Sequence, residues 1–291
     1  RESLRSAVCP EYQGRYFVSN FFRKHRGSYI LSSAQEAWFS ALALLDELSI
    51  PFIMSNDFDY YGGYYGKLID EDRFFLANAL NIAKASSKDA DLLVLEEDAF
   101  YNLTLAKKYI EENPSLFTTI ENALSKYKLK YNSDTKVVFI NDLLMQNLDS
   151  IKAKIKLPFS HFSTSIFHSS RNVIDITAAY HKLFALLDLK ILYDDKNAYF
   201  QYELFNPELA YKYSAKGLEM ALDLGSDFVI SQSMGVFGIF DKRRNKISKI
   251  ANRDFLNLPV LFLPQVLLLS FGIKDDTKLG FRYHKVPVEF V

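Results

Sequence analysis

Two groups of residues in this 291-residue chain have types that could do chemistry. The first is Asp57, Asp59, Glu96, Glu97, Asp98 and His161, carboxylates and an imidazole spread over segments that read as loops. Such side chains could bind a hard divalent ion or share protons. No spacing among them matches a metal motif, and Glu96, Glu97 and Asp98 stand directly ahead of a helical pattern, where negative charge is favoured by the helix dipole. They therefore read first as helix caps and solvated loop acids. The second group is the stretch Gly225 to Asp241, in which Phe228-Val229-Ile230 is a short β-type run, Ser231-Gln232-Ser233 a polar break, and Gly235 and Gly238 allow sharp turns. Open α/β sheets place ligand-binding groups on such strand-to-loop exits. Residues 231–240 nevertheless offer no Cys, His or carboxylate.

The remaining reactive side chains are isolated. His168, His181 and His284 have no carboxylate or cysteine at a diagnostic spacing, and the Tyr61 to Gly66 loop lacks the Gly-Lys-Ser/Thr of a phosphate-binding loop. Cys9, the single cysteine, rules out an intramolecular disulfide and an all-thiolate metal site built by this chain alone, and reads as a passive thiol. Charge is balanced at 35 basic and 35 acidic residues, so no global field would draw nucleic acid or anionic lipid. Lys242-Arg243-Arg244 with Lys246 and Lys249 is the densest basic patch and reads as a solvated face. Leu258 to Ile273 is broken by Pro264 and Gln265, short of a membrane span, and Arg1 to Gly27 has no apolar signal region, so a cytoplasmic protein is expected. The 25 Phe and 18 Tyr, against one Trp, imply interiors filled with rings.

The elements that position these residues repeat. In the first half, Ser28 to Leu31, Ile50 to Met54, Asp91 to Leu95 and Val137 to Ile140 are strand candidates. Helices are expected over Ala34 to Leu48, Asp70 to Ala85, the stretch from the Glu96-Glu97-Asp98 loop to Asn113, Leu116 to Tyr127 and Asp142 to Lys154. In the second, strand-like Phe159 to Phe162, Lys190 to Tyr193 and Phe228 to Ile230 alternate with helices at Val173 to Leu187 and Glu208 to Leu224. The units beginning at Asp91 and Asp227 are analogous. The expected fold class is α/β, with two pseudo-symmetric halves of short, mostly parallel sheets flanked by helices. Residues 1–27 form an N-terminal arm, 28–155 the first half and 156–291 the second.

At the level of motifs, the chain resembles the CCG-domain family typified by the B subunit of heterodisulfide reductase. The segment Leu258 to Ile273 is similar to the family's "PV-hydrophobic-Q-hydrophobic-ALG" helix, and Leu279-Gly280 with His284-Lys285-Val286 to its "LG…H-x-V". Ser231 to Val236 with Phe240-Asp241 resembles "TPCPxC…FD". In that family each half supplies a Cys-Cys-Gly and a Cys-x-x-Cys to an unusual iron–sulfur cluster. Carried over residue by residue, the resemblance implies cluster positions at Ser33, Tyr60, Tyr61, Glu97, Phe100, Thr164, Tyr199, Phe200, Ser233 and Val236, with His161 as a kept histidine. None of these is a cysteine.

Residues 1–12 also resemble the "RESCRxGxCGxC" loop of succinate dehydrogenase iron–sulfur subunits, with Leu4 and Tyr12 at two cysteine positions. That order of modules is the one in the B subunit of thiol:fumarate reductase. The resemblance implies a degenerate member without cofactor or metal, a pseudoenzyme acting as a non-redox scaffold. Its partner would be a flavoprotein or redox-complex subunit, which could hold it peripherally at a membrane. The rival expectation is an enzyme or small-molecule binder reusing the cleft, with an open polar pocket lined by Glu97, His161 and Ser233. A scaffold would instead have the cleft plugged by tyrosines and phenylalanines.

Overall fold

The computed structural model describes residues 16–19, 35–55, 58–59, 62–169, 171, 177–197 and 199–289. Its first half runs β1 (Tyr16–Ser19), α1 (Gln35–Glu47), β2 (Phe52–Ser55), α2 (Gly66–Ile69), α3 (Glu71–Ser86), β3 (Asp91–Val94), α4 (Glu97–Glu112), α5 (Pro114–Ser125), β4 (Val137–Phe139), α6 (Ile140–Gln146) and α7 (Leu148–Lys154). The second runs β5 (Ser163–Phe167), α8 (Thr177–Leu186), β6 (Lys190–Asp195), a 3₁₀ turn at Tyr199–Tyr202, α9 (Pro207–Asp223), β7 (Phe228–Ile230), α10 (Met234–Phe237) with a π-type turn at Gly238–Lys242, α11 (Arg244–Ala251), β8 (Val260–Leu261), α12 (Leu263–Ser270) and α13 (Asp276–Leu279).

Each half holds one four-stranded sheet, ordered β2-β1-β3-β4 and β6-β5-β7-β8, and every described pairing is parallel. The fold is α/β and the two strand orders are the same. In both, the order reverses between the first and third strands, so the points where crossovers diverge are β1/β3 and β5/β7. In open α/β sheets a crevice forms there, at the carboxyl ends of the strands.

Side-chain alternation along the strands sorts residues into layers. Leu92 and Val94 of β3 join a core with Ala99, Leu103, Ala106 and Ile110, whose spacing places them on one face of α4. Leu93 points the other way, into a core shared by both halves, where it meets residues of α1, α6, α8 and α12. In the second sheet Ile166, Phe228, Ile230 and Leu261 enter that shared core, while Phe167, Val229 and Val260 face α9, α10 and α11. Helices α1 and α12 pack on each other, as do α6 and α8, so the halves are fused through the middle layer. All eight residues of α12 are buried, and among the described residues no helix is long and apolar enough to cross a membrane.

Two strands fall elsewhere than the pattern suggests. Residues 16–19, read from sequence as part of an irregular arm, pair in register with both β2 and β3. A four-residue strand carries too little period to announce itself; its neighbours define it. Phe159 to Phe162 is a turn, closed by the Phe162 amide donating to the Phe159 carbonyl, and β5 starts one residue later. The Ser28 to Leu31 strand expectation lies outside the described residues, as does Cys9.

The basic run at 242–246 is not a solvated face throughout. Arg244 is fully buried, its Nε donating to the Phe240 carbonyl at 2.6 Å and its Nη1 to the Phe255 carbonyl. Arg243 pairs with Glu203 at 2.6 Å. Lysine and arginine stems pack along apolar surface, and a charge count along the chain does not register that.

Candidate functional site

The crevices of the two sheets meet, and the chain closes one on the other. From the first half, β3 runs into Glu96, whose carboxylate caps α4 by accepting the Ala99 amide at 2.5 Å. That cap aims the next two carboxylates across the gap. Glu97 accepts from His168 Nδ1 at 3.0 Å and from the Ser169 amide at 2.7 Å. Asp98 accepts from Ser169 Oγ at 2.7 Å and from Ser233 Oγ at 3.1 Å. His168 and Ser169 stand at the exit of β5, and Ser233 at the exit of β7, where its hydroxyl also accepts the Val236 amide at 3.3 Å. Gln232 links the same exit to the first half: its carbonyl accepts the Glu97 amide at 3.1 Å and its side chain reaches Asn141.

The charges in this seam are ordered by burial. His168 is fully buried, with Nε2 lying 3.2 Å from Asp194 Oδ1. Only an imidazolium has a proton for each ring nitrogen, and both nitrogens face carboxylate oxygens. Burial pulls its pKa down, but Glu97 and Asp194 outweigh that and hold it at about 9. Burial pushes Asp98 up to about 6 against the Ser169 hydrogen bond, the charge of Arg171 and the Ser233 hydrogen bond. Arg171 reaches across as well, donating from Nη1 to Asn102 Oδ1 at 2.9 Å and to the Gly63 carbonyl at 3.3 Å.

Rings fill the space beside this seam. Phe200 packs where a side chain at Gly235 would be, so a Cβ on Gly235 would come within 2.5 Å of it, and Phe200 meets Tyr64 edge-on at 5.3 Å. Tyr64 and Tyr65 both bond across to Gln201, each at 2.6 Å. Tyr199 packs over Gly217 and stacks near Phe240, while its hydroxyl binds Asp195. Gly235→Ala should lower stability by about 1–3 kcal/mol by displacing the Phe200 ring. In a Phe200→Leu background that penalty should shrink by more than half, which a double-mutant cycle in urea would measure.

Of the residues singled out from sequence, Glu96, Glu97, Asp98, Ser233, Val236, Tyr199 and Phe200 come together along this seam. Phe100 lies on the same helix but stacks on Phe139 at 5.1 Å, at the edge of the shared core. Asp59 is turned toward α3, paired with Lys84 at 2.9 Å and bridged through its backbone to Asn81. Thr164 is in mid-sheet, donating to the Phe228 carbonyl at 3.0 Å, and His161 is exposed in the turn before β5. Both stand at the amino end of the strand, away from the crevice. Ser33, Asp57, Tyr60 and Tyr61 lie outside the described residues. His168, Ser169 and Arg171 carry the seam yet are unmarked by spacing. The available signal was the position of His168 one residue past a run of β-type residues, Ile166-Phe167.

The framework motifs at the chain's end form a second buried network. Asp241 accepts the Lys285 amide at 2.8 Å and the Val286 amide at 3.0 Å. Gln265 accepts the Phe262 amide at 2.8 Å and donates to the Leu279 carbonyl at 2.7 Å and to His284 Nε2 at 2.9 Å. Burial, reinforced by the charge of Lys242, keeps His284 neutral with a pKa of about 3.

Two open parallel sheets of the same order, with crevices facing and a C-terminal Asp-Gln-His framework, define an α/β protein built of two like sheets. Residues 199–285, which hold that framework, match the HdrB-like C-terminal domain family, so the chain carries a domain of that family. A curated relative, the 8-methylmenaquinol:fumarate reductase membrane anchor subunit of Wolinella succinogenes, is 23% identical over 147 residues, 50% of this chain and 51% of the relative. The crystal structure of a hypothetical protein from Helicobacter pylori superposes with a TM-score of 0.81 at 30% identity, covering 95% of this chain and 52% of that one. The chain thus spans about half the length of each of these two proteins.

The family resemblance implies an iron–sulfur cluster, and its fit depends on the donors present. Cluster irons take thiolates. Positions 97, 100, 164, 199, 200, 233 and 236 present carboxylate, phenyl, hydroxyl, phenol and isopropyl groups. Glu97 and Ser233 are also committed to the seam. This donor set does not fit such a cluster.

Proposed function

We propose that this chain is a cluster-less heterodisulfide reductase B-like protein that serves as a non-redox scaffold or assembly partner in a respiratory or thiol-redox complex. The observation that carries the reading is the seam itself. Where a cofactor crevice would open, Glu97 and Asp98 of one half are bound to His168, Ser169 and Ser233 of the other, with Phe200 and Tyr64 packed alongside. A buried ion pair of this kind is a specific way to hold two units in one orientation. The printed name of the Wolinella relative, a membrane anchor subunit of a fumarate reductase, supports a respiratory assembly as the setting and a peripheral position at a membrane, reached through a partner.

The chain would then contribute surface and geometry, while a flavoprotein or other redox subunit carries the electrons. An anaerobic potentiometric titration of the purified chain, followed by visible absorption and electron paramagnetic resonance, tests this. The expected record is flat from oxidising to strongly reducing potentials. A reversible one-electron transition in the chain alone would overturn the reading.

A further inference from the structure

The mouth of the closed crevice carries a surface for which the seam has no use. Arg171 is half-buried, its guanidinium lying 3.9 Å from the Tyr64 ring centre and 5.1 Å from that of Tyr101, with Nη1 anchored on Gly63 and Asn102. The guanidinium is therefore held by two rings and anchored along one edge. The other edge, Nε with Nη2, has no hydrogen-bond partner among the described residues; it is the fork that binds a carboxylate through two parallel bonds. Asp98, the buried acid nearby, is spent on Ser169 and Ser233.

From Arg171 the surface continues without a break. Tyr64 meets Tyr65 at 4.9 Å, Tyr65 meets Phe205 at 5.2 Å, and the Tyr65 carbonyl accepts the Leu68 and Ile69 amides. Leu68, Ile69, Leu204 and Phe205 are 84, 74, 67 and 72% exposed, the four most exposed large apolar residues described. Flanking charges are paired: Lys67 with Glu71, Lys212 with Glu208, Arg243 with Glu203.

The geometry points to a protein-docking surface that receives an acidic side chain on the open fork of Arg171 and apolar side chains on Leu68, Ile69, Leu204 and Phe205. The charge complement is specific, because one guanidinium edge meets no acid among the described residues. Arginine and tyrosine centred in an apolar surround have the make-up of interface residues that dominate binding energy. Side chains this exposed suit a protein face, whereas a small ligand is normally enclosed. This inference deepens the scaffold reading and rests on it for the nature of the partner.

A random peptide library displayed on phage and selected on the intact chain provides the test, with enriched sequences remade as synthetic peptides and measured by fluorescence anisotropy. The expected peptides carry Asp or Glu beside large apolar residues, and amidating that acid weakens binding by at least about tenfold. Arg171→Lys, and separately the exposed pair Leu204→Ser with Phe205→Ser, should each do the same while leaving the far-ultraviolet circular dichroism unchanged. No enrichment, peptides lacking an acid, or affinities indifferent to Arg171→Lys would overturn the surface. Free acetate or succinate binding as tightly as the peptides would make this a small-acid site and equally overturn it. Iron measured on the same preparation separates the two readings, since a cluster-bearing chain that still selects acidic peptides keeps the surface and loses the non-redox role.

Discussion

Glu97→Ala is expected to lower the unfolding free energy at pH 7 by about 3–5 kcal/mol, because removing one partner leaves a buried counter-charge behind. Glu97 is the acceptor that crosses the seam to both His168 and the Ser169 amide. The truncation strands an imidazole and a backbone N–H in a dry site. Glu97→Gln keeps an acceptor for Ser169 and should cost less.

The pH dependence follows from the same contacts. His168 in the folded chain has its pKa near 9, above the ordinary histidine value of 6.5, so its stabilisation is complete below pH 6.5 and is lost as pH rises toward 9. His284 is the reverse: held neutral with a pKa near 3, it costs stability as pH falls from 6.5 toward 3, because the unfolded chain takes up the proton first. Asp98, raised from 3.8 to about 6, subtracts stability that develops between those values and persists at neutral pH. Urea midpoints of the wild type should therefore fall as pH rises from 6.5 toward 9, whereas between about pH 3.8 and 6 the His284 and Asp98 contributions oppose each other. In Glu97→Ala the loss between pH 6.5 and 9 should shrink, because Asp194 alone then holds the imidazolium against burial. An unchanged alkaline limb would mean that His168 is not the group responsible.

Asp241→Ala is expected to cost about 3 kcal/mol, because a buried and a part-buried amide both lose their acceptor. Those amides belong to Lys285 and Val286, and the same carboxylate lies 3.4 Å from Lys242 Nζ. The damage should be local before it is global. Hydrogen exchange at 284–288 should accelerate by at least about tenfold, while β3 and α4 keep their protection. Asp241→Asn, which retains one acceptor oxygen, should recover about half the loss. Equal exchange rates in the variant and wild type would show that the C-terminal segment is held by its apolar contacts, chiefly Val286, which is fully buried.

Much of the architecture can be read from the chain because its strands are continuous apolar runs closed by polar exits. Asp91 to Val94 and Phe228 to Ile230 stand out in this way, and both are strands. Strand β1 does not, since four residues carry no periodicity and its place depends on β2 and β3. The acids of the seam were recognisable as helix-start carboxylates, and Glu96 does cap α4. Their partners were not, because His168 and Ser169 are about seventy residues away and no local spacing encodes a contact made by folding two halves together. The same limit applies to His161 and Thr164, which lie just before and just inside the amino end of β5, opposite the end that carries His168. Arg244 shows the complementary difficulty: a run of basic residues looks solvated until one of them is needed to satisfy buried carbonyls.

On the reading proposed above, the crevice between the halves is closed by protein and holds no redox centre. Iron and acid-labile sulfide, measured after anaerobic expression and purification of the chain with iron and cysteine supplied, test it most directly. Amounts well below about 0.1 iron per chain are expected, because none of the described crevice residues is a cysteine. About one cluster per chain, with sulfide in matching amount, would contradict it.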